Sequence, residues 1–283
     1  MKQRSFSPIA EGPIPLMAPA AVFLAVFFLV PLAYVGWMSI SQPVVGLQNF
    51  GRLLHSSLFA SVLYQTFRTA FLVTALALLF AYPLAYAAAN GSKRFATFLL
   101  TVVALSFWTS YLVRTYAWMV ILGNQGPVTA LLSWLGFDPA PKLLFTTFSA
   151  TLAMTHALIP FMTMSLYSVM KRIDPLYVRA AESLGASPRR AFLTVYLPLS
   201  APGIVNGCTL VFISCLGFYV MPVLLGSPRD QMIAGIIGDQ IEQTLDFGLG
   251  SAISIVLLGL TLAVYALYNR FFGLDRLWAG GDR

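Results

Sequence analysis

The chain has 283 residues, of which 58% are hydrophobic and only 10% are charged. Soluble proteins carry about 25% charged residues, so this composition excludes a soluble enzyme and predicts an integral membrane protein. The net charge of +7 is informative through its distribution, because loop lysines and arginines report membrane topology, and it does not indicate nucleic-acid binding.

Six apolar segments are long enough to cross a bilayer, which requires about 20 residues per helix. The loops between them are short and leave no room for a soluble domain. We therefore predict an all-α membrane protein with one transmembrane domain at 16–271, an N-terminal lead at 1–15 and a C-terminal tail at 272–283. The predicted spans are 16–39, 61–89, 95–121, 147–170, 202–225 and 248–271.

The basic residues are distributed unequally between the two sides of the membrane. If the N-terminus is cytoplasmic, twelve lie inside and three lie outside, a strong positive-inside bias. Both termini and the connection between spans four and five are therefore predicted to be cytoplasmic. The inside residues are Lys2, Arg4, Lys93, Arg94, Lys171, Arg172, Arg179, Arg189, Arg190, Arg270, Arg276 and Arg283, and the outside residues are Arg52, Lys142 and Arg229.

The third span combines aromatic residues with a cation in the stretch FWTSYLVRTYAWMVIL. Tyrosine and tryptophan concentrate at membrane interfaces, which alone accounts for Tyr116 and Trp118. An arginine within a span is costly and usually faces a cavity or a partner, so Arg114 either lies near a transport path or extends to the outer surface. With Trp108 and Tyr111, Arg114 and Tyr116 are candidate path residues.

The fifth span adds Phe218 and Tyr219, which follow Gly217. Glycine there permits close helix approach or a break at a cavity, and ring faces can bind an ammonium group. In the fourth span, His156 has no other ligand at metal-binding spacing. We interpret it as a hydrogen-bonded packing residue and predict no metal site.

The outer segment 226–247 is acidic, with four carboxylates against Arg229. Two interpretations remain open: an ordinary solvated loop, or a surface that faces a cationic solute or a docking protein. The carboxylates are Asp230, Asp239, Glu242 and Asp246.

One polar stretch, 171–202, interrupts the apolar sequence and holds five of the seventeen lysines and arginines. Asp174 followed by Pro175 predicts the start of a helix. Gly185 predicts its end near Leu184, because glycine adopts the left-handed conformation readily. A second helix is expected from Ser187-Pro188, and Leu197-Pro198 is expected to bend the chain back into the membrane. A short helix with a basic rim on the membrane surface predicts a docking element.

Several chemistries are absent from the sequence. It has no GxxxxGK[ST] phosphate loop, no HExxH motif, no Ser–His–Asp constellation and no acid in any predicted span. Ion-driven transporters usually carry ionisable residues in their spans. We therefore expect neither catalytic residues nor a cofactor, and we expect energy to come from a separate ATPase subunit through 171–202.

The docking stretch resembles the "EAA" loop of ATP-binding-cassette (ABC) importer permeases, whose pattern is Glu-Ala-Ala, three residues, Gly, nine residues, Ile, one residue, Leu-Pro. The sequence departs at the first position, where Arg179 replaces glutamate, and at Val195. Glu182 occurs three residues later and is not the motif glutamate. The residues on the pattern's spacing are Ala180, Ala181, Gly185, Val195, Leu197 and Pro198.

Three further stretches, 83–89, 109–122 and 217–234, resemble the spermidine/putrescine-type permeases of that family. The resemblance implies a type I permease fold in the bacterial inner membrane, working with a second, homologous permease, two ATPase subunits and a periplasmic solute-binding protein. It also implies that the 176–186 helix enters a groove of the ATPase. Alanines at 180 and 181 permit close docking, and Arg179, Arg189 and Arg190 can pair with acids of the partner.

We predict a permease subunit that moves a small cationic solute, a polyamine, inward. One alternative is a zwitterionic or amino-acid-like solute, such as 4-aminobutyrate or an opine, whose carboxylate would meet Arg114. The second alternative is a stand-alone channel or facilitator. The residues predicted to couple to the ATPase are Arg179, Ala180, Ala181, Glu182, Leu184, Gly185, Arg189, Arg190, Leu197 and Pro198.

Overall fold

The computed structural model describes residues 14–137 and 139–272, and regular structure in both ranges is entirely helical. The predicted lead and tail therefore lie almost wholly outside the described residues. π-helical turns at Ala25–Leu29 and Phe192–Tyr196 join α1 to α2 and α10 to α11, and Pro228–Asp230 is a 3-10 turn. The α-helices are α1 (Ile14–Leu24), α2 (Val30–Ser41), α3 (Gln48–Leu54), α4 (Ser57–Asn90), α5 (Lys93–Trp108), α6 (Tyr111–Leu122), α7 (Pro127–Trp134), α8 (Thr147–Met170), α9 (Pro175–Ser183), α10 (Pro188–Ala191), α11 (Leu197–Leu216), α12 (Val220–Leu225), α13 (Ile233–Glu242) and α14 (Phe247–Phe272).

Five helices within the described ranges are long and apolar enough to cross a membrane, and a bent pair, counted as one broken span, makes a sixth. The predicted all-α, six-span class is confirmed, and the fourth span has the predicted bounds. The third span is not the single helix expected, because α5 ends at Trp108 and the chain then turns by 98°. The five single spans are Met17–Ser41, Ser57–Asn90, Thr147–Met170, Pro188–Leu216 and Phe247–Arg270.

The fifth span differs most from expectation. It was predicted at 202–225 after a bend at Leu197-Pro198, but the helix runs without interruption from Pro188 to Leu216. The π turn before Pro198 explains the difference, since the Leu197 amide bonds to the Phe192 carbonyl in an i→i+5 pattern. The widened turn accommodates a proline that would otherwise break the hydrogen-bond ladder.

The centre of the fold is a three-helix bundle of α4, α8 and α11. One face of α4 buries alanines at 70, 77, 81, 85 and 88. On α11, a Cβ added at Gly203 would lie 3.1 Å from Val169 Cβ, and one at Gly207 would lie 2.6 Å from Met162 Sδ. Small side chains therefore let these helices approach closely. Such packing is usual in membranes, because the hydrophobic effect does not drive helices together within lipid.

A second layer forms where α14 packs against α2, α3 and α13. Asn49 joins α3 to the end of α2 by donating to the carbonyls of Ser39 (3.1 Å) and Gln42 (2.7 Å). Arg52 and Asp246 form an ion pair at 3.1 Å at this end of the bundle. At the opposite end, Asn90 Nδ2 donates to Tyr196 Oη at 2.9 Å. The α4–α5 turn and the docking stretch therefore share the end predicted to be cytoplasmic.

Candidate functional site

Helix α9 has the N-terminal cap and the C-terminal glycine that its sequence predicted. Asp174 accepts a hydrogen bond from the Leu176 amide at 2.9 Å, with Pro175 in the first turn. Gly185 has a φ of +91°, and its amide bonds to Glu182 O at 2.9 Å while that of Ala186 bonds to Ala181 O at 3.0 Å. These two bonds form a Schellman motif, so α9 is a short helix fixed at both ends.

The outward face of α9 is apolar. Leu184 is 89% exposed, and Leu176 and Ala180 precede it at helical spacing on the exposed surface. Val178 instead packs towards the bundle core. A solvated apolar stripe of this kind marks an interaction surface. The sequence prediction missed Leu176 and the exposed Tyr177, although the i, i+4, i+8 spacing of 176, 180 and 184 was available.

The predicted charged residues surround this stripe. Arg179, Glu182, Arg189 and Arg190 are all exposed, and none forms an ion pair within the described residues. The structure therefore places the residues predicted to couple at 179–190 together at one end of the protein. Leu197 and Pro198 lie beyond the π turn, in α11, and α9 packs against that turn.

Two helix breaks lie next to each other, away from the end of the protein that carries α9. α5 gives way to α6 at Thr109-Ser110, and α11 gives way to α12 at 217–219. Across the two breaks, the rings of Tyr111 and Phe218 pack edge to face, with centroids 5.5 Å apart. Broken spans often form binding sites in transporters, because their free helix ends provide partial charges within the membrane.

Arg114 stabilises the first break. It is only 5% exposed, and its Nη2 donates to the carbonyls of Ser106 and Thr109, the latter at 3.1 Å. Ser106 O belongs to the last turn of α5, whose carbonyls lack partners within the helix. The guanidinium also lies 5.5 Å from the Tyr111 ring centroid. Arg114 therefore caps the negative end of α5 and does not extend to the outer surface.

A pocket of about 330 Å³ opens at the second break. It brings together three of the six candidate path residues, Tyr111, Phe218 and Tyr219, and adds Ser214 and Met221, which sequence reasoning missed. The 20-residue α11 ends at this pocket, so the negative end of its dipole favours a cation there.

The other path candidates lie elsewhere. Trp108 is 84% exposed and lines a neighbouring apolar pocket of about 560 Å³ between α5, α8 and α11. Tyr116 is exposed and lines none of the described pockets near the breaks. His156 accepts a hydrogen bond from Trp118 Nε1 at 3.4 Å, which confirms its interpretation as a packing residue. Within the described ranges, no cluster of three potential metal ligands occurs.

The acidic outer segment is not an ordinary solvated loop. Asp230 is only 4% exposed and accepts hydrogen bonds from Thr147 Oγ1 at 2.6 Å and the Ser227 amide at 2.8 Å. Asp246 pairs with Arg52, and Asp239 accepts from Gln231 and Gln243. Two of the four carboxylates, Asp230 and Asp246, therefore hold the outer segment to the bundle, and Asp239 bonds within the segment.

The sequence profile of one protein family matches residues 81–272 of the chain. That family is described as the binding-protein-dependent transport system inner membrane component, the permease family of ABC importers. The chain belongs to this family. It is therefore an inner-membrane transport subunit, and the predicted resemblance is confirmed.

Individual relatives agree with this assignment. The spermidine/putrescine permease protein PotB of Salmonella typhimurium (strain SL1344) is 33% identical over 231 residues, which cover 80% of each chain. YdcU, an inner membrane ABC transporter permease protein of Escherichia coli (strain K12), is 28% identical over 93% of this chain and 90% of its own. The structure of a bacterial alginate ABC transporter with an alginate pentasaccharide-bound periplasmic protein matches with a TM-score of 0.71 at 20% identity, covering 91% and 92% of the two chains. That last likeness concerns the fold alone.

Proposed function

We propose that the chain is one of two permease subunits in an ATP-driven importer that moves a polyamine across the bacterial inner membrane. A homologous permease, two ATPase subunits and a periplasmic solute-binding protein complete the assembly. The similarity to PotB over 80% of the chain is the observation that carries the solute class. The apolar stripe and basic rim of α9 support the ATPase as the partner at the cytoplasmic end.

The pocket at the second helix break supports a cationic solute. Phe218 and Tyr219 offer aromatic rings, each able to contribute about 0.5–2 kcal/mol to binding an ammonium group, whereas the Tyr111 ring already lies against the Arg114 guanidinium. The C-terminal end of α11 adds a partial negative charge. No acid lies in the described spans, so full neutralisation of a polyamine would require carboxylates from the second permease.

The 4-aminobutyrate-like alternative has weaker support. It requires Arg114 to meet a carboxylate, whereas Arg114 Nη2 already serves two backbone carbonyls. A stand-alone channel has no support from membership of a binding-protein-dependent family.

The test is solute uptake by the assembly reconstituted with its own ATPase, second permease and binding protein. We expect ATP-dependent uptake of spermidine or putrescine, reduced by Phe218→Leu, which removes a ring but keeps an apolar side chain. Phe98→Leu is the matched control, because Phe98 is exposed and lines none of the described pockets. ATP-dependent uptake of 4-aminobutyrate without polyamine uptake would contradict the proposal.

A further inference from the structure

A pocket of about 330 Å³ opens at the cytoplasmic end of the bundle, where the α4–α5 turn meets the end of α8. Two lysines, Lys93 and Lys171, line it. The remaining wall is formed by the apolar residues Ala88, Ala89, Ala96 and Leu100, together with Gly91, Thr97 and Tyr167. The pocket is far from the helix breaks and has no part in the proposed solute path.

The charge in this pocket is uncompensated. Neither lysine forms an ion pair with a carboxylate in the described part of the chain, and Lys171 Nζ lies 5.3 Å from the Tyr167 ring centroid. The N-terminus of α5 is at the same place, with Ser92 Oγ accepting from the Phe95 amide at 3.4 Å. The first-turn amides of α5 lack intrahelical partners, so they add positive potential to that of the two ammonium groups. The pocket is therefore suited to an anion.

The walls identify the kind of anion. Lys93 begins a membrane-crossing segment, and Ala96 and Leu100 lie one and two turns further along it. The polar rim is thus at headgroup depth, and the apolar wall continues towards the hydrocarbon. A free phosphate would use the rim alone, whereas a phospholipid would use both.

We propose that the pocket binds the phosphate group of an anionic glycerophospholipid of the cytoplasmic leaflet. The phosphate lies between Lys93 and Lys171, and an acyl chain follows Ala96 and Leu100 along α5. Basic pockets between membrane helices on the cytoplasmic side are known to hold such headgroups. The site joins the turn after α4 to the end of α8, and Lys171 lies four residues before the start of α9, so the bound lipid would stiffen the base of the docking element.

The test is native mass spectrometry of the purified full chain titrated with phosphatidylglycerol, and with phosphatidylethanolamine of the same acyl chains. We expect preferential binding of phosphatidylglycerol. The double variant Lys93→Gln/Lys171→Gln should bind it about 25-fold more weakly, about five-fold for each lysine. The matched control is Arg94→Gln/Arg172→Gln, which removes the same charge from adjacent positions that do not line the pocket. It should weaken binding much less.

Four results would overturn the proposal. Equal weakening in the two double variants would mean that general surface charge attracts the lipid. Equal binding of phosphatidylethanolamine would exclude recognition of an anion. Displacement of the lipid by millimolar inorganic phosphate would identify a site for free phosphate. Loss of the lipid when the ATPase copurifies with the chain would mean that a protein covers the pocket.

Discussion

Arg114 decides between two accounts of the third span, because it is either a capping residue or a receptor for a carboxylate. The informative substitution is Arg114→Met, which keeps a long, unbranched side chain but removes the charge and every donor. The structure shows the donor Nη2 serving Ser106 O and Thr109 O. In the variant, both carbonyls lose this partner within a membrane-crossing segment.

The size of the effect follows from the two lost bonds. A hydrogen bond to a charged group contributes about 1.5–3 kcal/mol, so the loss is about 3–6 kcal/mol for the pair. A stability change of 1 kcal/mol shifts Tm by about 2–4 °C in a domain of about 150–250 residues. Taking the lower free-energy loss of about 3 kcal/mol, we expect the apparent Tm of the permease in detergent to fall by roughly 6–12 °C.

The assay pairs this Tm with uptake of spermidine and of 4-aminobutyrate by the reconstituted assembly. If Arg114 caps α5, both uptake rates fall together with Tm, because the whole break is destabilised. Arg68→Met is the matched control, since Arg68 also lies within a described span but is exposed; the Tm of this variant should change little. An unchanged Tm in Arg114→Met, with loss of 4-aminobutyrate uptake alone, would refute the capping account and would identify Arg114 as a receptor for a carboxylate.

Two further predictions concern the docking face and the bundle core. Leu184→Glu should leave Tm unchanged, because Leu184 is 89% exposed, but it should abolish copurification of the ATPase. The control is Leu54→Glu, which should retain the ATPase, because Leu54 is 86% exposed but lies near the opposite end. Retention of the ATPase by both variants would contradict the docking role of α9. Gly207→Val should destabilise the permease by about 1–3 kcal/mol through overpacking, since a Cβ there would lie 2.6 Å from Met162 Sδ. Gly259→Val has open space and should retain the wild-type Tm, so equal Tm values for the two glycine variants would show that α8 and α11 are not closely packed.

The elements that the sequence predicted well are those determined by neighbouring residues. Asp174 and Gly185 fix the two ends of α9 through bonds within a few residues, and both ends are where the sequence places them. The bounds of the fourth span follow from a polar residue at each end of one apolar run. Family spacing also predicts the coupling residues at 179–190, because the pattern lies within a single loop, and that role stays a prediction.

The features that were missed depend on residues distant in the chain or on an unusual helical turn. The break after Trp108 lies inside a continuous apolar run, so hydrophobicity alone could not reveal it. The burial of Asp230 depends on Thr147, 83 residues away. Pro198 was expected to bend the chain because its ring opposes an ordinary α-helical ladder, and the π turn before it removes that conflict.

The corrected fifth span changes how the two ends of the protein are connected. A helix from 202 to 225 would have left a hinge between the docking element and the membrane. The observed helix instead runs for 29 residues from Pro188 to Leu216, about 43 Å at the usual rise per residue. One of its ends packs beside α9, and the other ends at Gly217, where the aromatic pocket opens. Since a continuous helix moves largely as a rigid element, we expect a displacement at its Pro188 end, where α9 packs, to reach the pocket, and we expect the flexible point at Gly217, next to the rings proposed to hold the solute.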